Sequence, residues 1–134
     1  MTVLLVVDDD DDIREALREA LAEESYIVMT ARNGIEALDR LHGLGGTPRP
    51  DICILDVMMP DLNGWGLMQI KDADPDIRDI PVILLTALKS DMVREKNASG
   101  ACLIVHKPVT LEKLLSVLKC IRSRSIPPPA LVGT

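Results

Sequence analysis

The sequence predicts an α/β protein in which helices cover both faces of a doubly wound, five-stranded parallel sheet. Five short apolar runs are continuous rather than alternating, as expected of strands that are buried on both faces. Segments of helical periodicity separate these runs, and such alternation requires right-handed crossovers between parallel strands. A length of 134 residues, with 47% of them hydrophobic, suits one domain with a single core.

The predicted strands and helices follow one another in order. Strands are expected at Val3–Val7, Tyr26–Thr30, Ile52–Leu55, Val82–Thr86 and Cys102–Val105. The first helix has the clearest apolar stripe, formed by Ile13, Ala16, Leu17, Ala20 and Leu21. The second has a weaker stripe, formed by Ile35, Leu38 and Leu41. Further helices are expected over residues 64–73, over residues 89–99 with poor periodicity, and over residues 111–121 behind Thr110 as a candidate N-cap.

Five strands connected in this way match the flavodoxin-like (βα)5 sandwich, whose parallel sheet has the strand order 2-1-3-4-5. We expect residues 1–123 to form this domain. Residues 124–134 contain Pro127-Pro128-Pro129, which cannot continue a helix, and are expected to form a tail or a linker. Cys53 and Cys102 fall inside apolar runs and are interpreted as small core residues.

Composition argues against several classes of partner. The net charge of -6 disfavours direct binding of nucleic acid or of an anionic membrane. The sequence contains no run approaching the roughly 20 apolar residues that span a bilayer, and its first apolar run is too short for a signal peptide. A cytoplasmic location is therefore expected. Aromatic residues make up 1% of the chain, so platforms for base stacking are not expected.

Polar residues stand where the predicted strands end. Asp8 and Asp9 follow the first strand, Asp56 follows the third, Thr86 ends the fourth and Lys107 follows the fifth. The carboxyl ends of parallel strands share one edge of the sheet, so these side chains are expected to converge. Three crowded carboxylates raise at least one pKa unless a cation joins them. A hard divalent ion, Mg2+ or Mn2+, suits such oxygen ligands.

This set of residues has the outline of a phosphoryl-transfer site, where positioning and charge neutralisation are the main requirements. Asp56 would supply the nucleophilic oxygen and become an aspartyl phosphate. Lys107 and the hydroxyl of Thr86 would hold phosphoryl oxygens. The metal would be bound by Asp8, Asp9 and Asp56, with the backbone carbonyl of Met58 as a neutral ligand.

Four segments, VVDDDDDIREAL, LDVMMPDLNG, LLTAL and HKP, resemble the signature segments of response-regulator receiver domains. The resemblance runs from about Val3 to Arg122. It implies a signalling module that accepts a phosphoryl group from a sensor histidine kinase or a histidine phosphotransfer protein and catalyses only its own phosphorylation and dephosphorylation. It further implies relay to a downstream protein or output domain, a phosphorylation-dependent homodimer as one outcome, and a cis peptide bond before Pro108.

Two departures from the family pattern bear on mechanism. Ile104 and Val109 stand where the family usually has aromatic residues, so we expect a partner to recognise backbone and helix shifts rather than a rotating ring. Met58 and Leu88 flank the expected path of a hydrolytic water, and neither can orient it by hydrogen bonding. A long-lived phosphoryl group is therefore expected.

Three alternative interpretations compete with a phosphorylated receiver domain. An EF-hand would use Asp8, Asp10, Asp12 and Glu19, but Ile13 stands where that loop requires glycine. A phosphatase of the haloacid-dehalogenase type would use Asp8 and Asp10, but Asp12 replaces the threonine that it needs. A degenerate receiver acting as a constitutive docking module is the third, and the presence of all five site residues argues against it.

Overall fold

The computed structural model describes residues 2–56, 64–86 and 102–122. Its strands are β1 Val3–Val7, β2 Ile27–Ala31, β3 Ile52–Asp56, β4 Val82–Thr86 and β5 Cys102–His106. Its α-helices within these ranges, numbered in chain order, are α1 Asp11–Glu23, α2 Gly34–Leu41, α3 Gly64–Asp72 and α4 Leu111–Arg122. A short 3-10 helix covers Leu44–Gly46. The predicted helix over residues 89–99 and the tail at 124–134 lie outside the described ranges.

The strands form one parallel sheet in the order β2-β1-β3-β4-β5, which confirms the predicted topology. In this order β1 and β3 are neighbours, and Val7 pairs with Leu55 at their carboxyl ends. The next residues along these two strands are Asp8 and Asp56. Register alone therefore brings the two carboxylates to the same edge of the sheet.

The core consists of one apolar cluster on each face of the sheet. Leu5, Cys53 and Leu84 contribute to the cluster beneath α2 and α3. The alternate strand residues face the other way and join α1 and α4 in the second cluster. Every residue of β3 and β4 is buried, which explains why their sequences show continuous rather than alternating apolar runs. This buried sheet is the rigid base from which the polar side chains at its carboxyl edge project.

Helix α1 is packed differently from the sequence expectation. Asp10 is its N-cap, and the Asp10 side chain accepts hydrogen bonds from the N–H groups of Asp12 and Ile13. Leu21 is buried, but Ile13 is 48% exposed. The first turn starts beyond the end of β1, so the sheet does not lie beneath Ile13.

The predicted apolar stripe of α2 and the predicted N-cap of α4 have different outcomes. On α2, Ile35 is 62% exposed, whereas Gly34, Ala37 and Leu41 are buried. Gly34, Ala37 and Leu41 therefore lie on the inward face of α2, Ile35 lies off that face, and the predicted stripe is wrong at Ile35. On α4, the predicted cap is confirmed: the hydroxyl oxygen of Thr110 accepts a hydrogen bond from the N–H of Lys113 at 3.1 Å.

None of the helices in the described parts of the chain is both long enough and apolar enough to cross a membrane.

Candidate functional site

Three carboxylates meet at the carboxyl edge of the sheet. Asp8 follows β1 directly, Asp9 comes next in the loop to α1, and Asp56 is the last residue of β3. One oxygen from each of them lies within 4.8 Å of the others. Asp8 and Asp56 are buried, with 3% and 6% of their surface exposed, while Asp9 is exposed to solvent. The expected convergence of these three residues is confirmed.

The environment of Asp8 disfavours a negative charge. Burial is the largest cause that raises the pKa of the Asp8 carboxyl above its ordinary value, and repulsion from Asp56 and Asp9 raises it further. The N–H of Asp10 donates a hydrogen bond to Oδ1 of Asp8 at 2.9 Å, and together with the charge of Lys107 it offsets part of this effect. The net effect is a raised pKa for Asp8, chiefly because its carboxyl is buried.

Lys107 and Thr86 complete the group of residues at this edge. The ammonium Nζ of Lys107 lies 3.1 Å from Oδ1 of Asp56, and the Lys107 side chain is 35% exposed. Thr86 is buried at the end of β4, one position beyond Leu85, which pairs with Asp56. The N–H of Lys107 donates to the carbonyl of Thr86 at 2.7 Å, so the backbones of the two residues are joined. The peptide bond between Lys107 and Pro108 is cis.

The chemistry of these donors fits a hard divalent cation. Carboxylate oxygens are the ligands that Mg2+ and Mn2+ prefer, and Mg2+ is usually held by one or two protein carboxylates together with water and phosphate oxygens. A cation here would also relieve the repulsion that raises the pKa of Asp8. Met58, the predicted source of a carbonyl ligand, lies outside the described residues.

Comparison with known protein families identifies the family of this chain. The family model described as response regulator receiver domain matches residues 4–119, which is most of the chain. This chain belongs to that family. As a receiver domain it is a signalling module of two-component systems rather than an enzyme that turns over a separate substrate. The assignment confirms the resemblance and leaves the phosphatase alternative without support.

Curated relatives of the receiver domain include response regulators of mycobacteria. The response regulator MprA of Mycobacterium bovis is 39% identical over 130 residues, covering 95% of this chain and 53% of the relative. MprA of Mycobacterium avium is 39% identical over 127 residues, covering 92% of this chain and 52% of the relative. The chain therefore spans about half the length of the curated relatives that it matches.

Solved structures support the same fold. The chemotaxis protein CheY4 of Vibrio cholerae superposes with a TM-score of 0.79 at 30% identity, over 90% of this chain and 98% of that one. The receiver domain of a signal transduction histidine kinase from Syntrophus aciditrophicus superposes with a TM-score of 0.79 at 34% sequence identity. The match covers 94% of this chain and 97% of that one. The response regulator TrrA of Thermotoga maritima was solved in complex with Mg(2+)-BeF. It superposes with a TM-score of 0.74 at 34% sequence identity, and the match covers 90% of this chain and 99% of that one.

Two contacts in this receiver domain were not predicted from the sequence. Arg14 on α1 reaches back to the loop after β1 and donates a hydrogen bond to the backbone carbonyl of Asp8 at 2.9 Å. The imidazole of His42 hydrogen-bonds the carboxylate of Asp74, which follows the end of α3, at 2.6 Å. Spacing along the chain does not reveal which way the long Arg14 side chain turns, so no sequence signal indicates the first contact. The second joins residues 32 positions apart, and no spacing rule indicates it.

Proposed function

We propose that this receiver domain is a phosphorylation-activated switch in which Asp56 accepts a phosphoryl group from a phosphohistidine donor. Membership of the response regulators implies a cognate histidine kinase, and either that kinase or a histidine phosphotransfer protein would be the donor. In the transfer, the bond between phosphorus and the histidine nitrogen breaks while a bond from phosphorus to an Asp56 oxygen forms. The imidazole leaves with the bonding electrons and takes up a proton.

The observation that carries this proposal is the 3.1 Å contact between Lys107 and Asp56 beside two further carboxylates. A structural ion pair would not need Asp8 and Asp9 next to it, since they add repulsion rather than stability. A site that must receive a phosphoryl group, whose three oxygens carry negative charge, does need both a cation-binding set and a mobile positive charge. The grouping of these residues is therefore explained better by phosphoryl transfer than by folding.

Each residue has a separate part in the proposed reaction. Asp8, Asp9 and Asp56 would hold Mg2+ or Mn2+, by analogy with the Mg(2+)-BeF complex of TrrA. When bound, the ion would neutralise the charge of the carboxylates and of the incoming phosphoryl oxygens. Lys107 is partly exposed on a flexible stem, so its ammonium can turn from Asp56 to a phosphoryl oxygen.

Thr86 would couple the reaction to a change of shape. We propose that its hydroxyl binds another phosphoryl oxygen and that the strand end moves with it. Its carbonyl already accepts the N–H of Lys107, so a shift of Thr86 passes directly to the start of the segment that leads into α4. Ile104 is partly buried against the apolar cluster under α3 and offers no aromatic ring to rotate. The downstream protein or output domain would therefore recognise the shift of backbone and helices.

Intact-protein mass spectrometry tests the proposal. Incubation with acetyl phosphate and Mg2+ is expected to add one group of about 80 Da per chain, because an aspartate nucleophile forms a single covalent acyl phosphate. Removal of the metal with EDTA is expected to abolish the addition. Asp56→Asn should abolish it as well.

The control variant is Asp39→Asn, which removes an exposed carboxylate from α2 and should leave the addition unchanged. Absence of any addition to the wild-type chain would contradict the proposal and favour a constitutive docking module. Addition to the Asp56→Asn variant at the wild-type level would show that another residue is the acceptor.

A further inference from the structure

Asp8 is held in place at three points. Its N–H donates to the carbonyl of Ala31 at 3.1 Å, and its Oδ1 accepts from the N–H of Asp10 at 2.9 Å. In both of these contacts the donor is a backbone N–H, from Asp8 in the first and from Asp10 in the second. The third contact is different, because the carbonyl of Asp8 accepts from Nη1 of Arg14, a side chain that α1 supplies. Substitution of Arg14 can therefore remove one of the three points selectively.

The guanidinium of Arg14 contacts both the loop after β1 and the first residue of α1. Nη1 donates to Asp8 at 2.9 Å, while Nη2 pairs with the carboxylate of Asp11. The N–H of Arg14 donates to the carbonyl of Asp10 at 2.9 Å, so its own backbone is fixed to the N-cap of α1. The side chain is 17% exposed, whereas that of Asp11 is 81% exposed. The buried end of the arrangement is thus the contact with Asp8.

We infer that Arg14 is a positioning residue for the metal site, whose guanidinium fixes the Asp8 backbone so that the Asp8 carboxylate faces Asp9 and Asp56. This inference rests on the proposed function, because it assumes that these carboxylates bind Mg2+. Groups that orient metal ligands contribute to metal affinity without touching the ion. Arginine suits the task because its rigid fork presents two donors at a fixed angle, whereas a lysine ammonium presents a single point of attachment.

Charge and positioning predict opposite effects for the loss of Arg14. Removing a positive charge near three carboxylates should, by electrostatics alone, make the site bind a divalent cation more tightly. Releasing the Asp8 backbone should make it bind more weakly, because the ligand must then be ordered when the ion arrives. The sign of the change in affinity therefore separates the two explanations.

Isothermal titration calorimetry with MgCl2 on the metal-free protein provides the test. The variant Arg14→Gln is expected to weaken Mg2+ binding by about tenfold or more, the size of effect usual for a residue that orients a ligand. The matched control is Arg18→Gln on the next turn of α1, where the arginine pairs with Glu15 and Glu19 at the surface. It removes the same charge from the same helix and should leave the affinity unchanged or slightly tighter.

Arg14→Lys should give an intermediate affinity, since an ammonium can still donate to the carbonyl of Asp8. It also serves as the deciding variant if Arg14→Gln does not fold, as judged by thermal unfolding in EDTA. In phosphorylation by acetyl phosphate, the half-saturating Mg2+ concentration should rise for the Arg14 variants. The rate at saturating Mg2+ should stay near that of the wild type.

An Mg2+ affinity of Arg14→Gln and Arg14→Lys equal to or above that of the wild type would overturn the inference and leave the proposed function standing. If the wild type itself binds no Mg2+, or if Asp8→Asn binds it as well as the wild type, the proposed metal site fails. The inference then fails with it.

Discussion

At the scale of single residues, a small number of polar contacts accounts for the site. Asp8 and Asp56 are buried at the edge of the sheet, where neither carboxylate is well hydrated. Lys107 contacts Asp56, and its positive charge also acts on Asp8. Burying like charges costs stability unless a partner is present. The metal-free receiver domain therefore carries an electrostatic cost at its site, which binding of a cation would remove.

His42 and Asp74 form a second polar pair, and neither residue is one of the five predicted site residues. Its Nε2 lies 2.6 Å from Oδ2 of Asp74, and its Nδ1 lies 2.9 Å from the carbonyl of Leu38. Both ring nitrogens face oxygen acceptors, so both contacts are satisfied together when the imidazole carries two protons. The hydrogen bond with Asp74 is the largest cause that raises the pKa of His42 above 6.5, and the Asp74 pKa is lowered below 3.8, chiefly by the N–H of Asp76 and then by His42.

We expect the contribution of this pair to stability to fall as pH rises. A histidine whose folded-state pKa is raised stabilises the fold fully below the unfolded pKa of 6.5 and loses that effect as pH passes the folded value. The pKa of Asp74 is lowered, so its carboxylate stays charged across the whole range in which His42 titrates. Between pH 5 and pH 8.5, the difference in free energy of unfolding between wild type and His42→Gln should therefore shrink.

Urea unfolding at the two pH values measures this difference. His106→Gln is the control, because His106 is exposed at the end of β5 and forms none of these contacts in the described structure. A difference for His42→Gln that grows with pH would contradict the assignment of a doubly protonated ring.

At the scale of elements, sequence predicts more about strands than about helices. The bounds of β1 and β4 coincide with their apolar runs, because a strand buried on both faces tolerates few polar residues. Helix α2 is harder to predict because small residues form part of its inward face while a larger apolar residue faces solvent. Gly34 and Ala37 are buried there and Ile35 is not. Hydrophobicity alone therefore does not reveal which face of this helix packs on the sheet.

The last helix offers a direct test of this distinction. Leu118 on α4 is fully buried between the helix and the sheet, whereas Leu111 at the start of the same helix is 39% exposed. Leu118→Ala should lower the free energy of unfolding by about 2–5 kcal/mol, since it leaves a cavity in the core. Leu111→Ala should lower it by about 1 kcal/mol or less, since water already reaches that side chain.

Equilibrium unfolding in urea gives both values, and the two variants act as controls for each other because they change the same residue type in one helix. Equal losses for the two would contradict the placement of α4 on the sheet.

At the scale of the whole molecule, topology explains how the site could be predicted before its geometry was known. The order β2-β1-β3-β4-β5 makes β1 and β3 neighbours, so aspartates at their carboxyl ends must approach each other whatever the loops do. Contacts that depend on the direction of a long side chain were not predictable in this way. The reach of Arg14 back to Asp8 and the pairing of His42 with Asp74 are of that kind.

The same topology links the site to the surface through few steps. Asp56 is paired through β3 with β4, Thr86 ends β4, and the backbone of Lys107 is bonded to Thr86. A phosphoryl group on Asp56 would therefore act on two adjacent strand ends at once. This coupling of two strand ends requires the phosphoryl group to be on Asp56 and on no other carboxylate at this edge.

Reduction of the phosphorylated protein with borohydride, followed by peptide sequencing in a mass spectrometer, locates the group directly. An acyl phosphate on aspartate is reduced to the alcohol, so the modified residue becomes homoserine. If Asp56 is the acceptor, treatment with acetyl phosphate and Mg2+ will lead to homoserine at position 56 and leave aspartate unmodified at positions 8 and 9. Homoserine at position 8 or 9, with aspartate intact at position 56, would contradict this assignment.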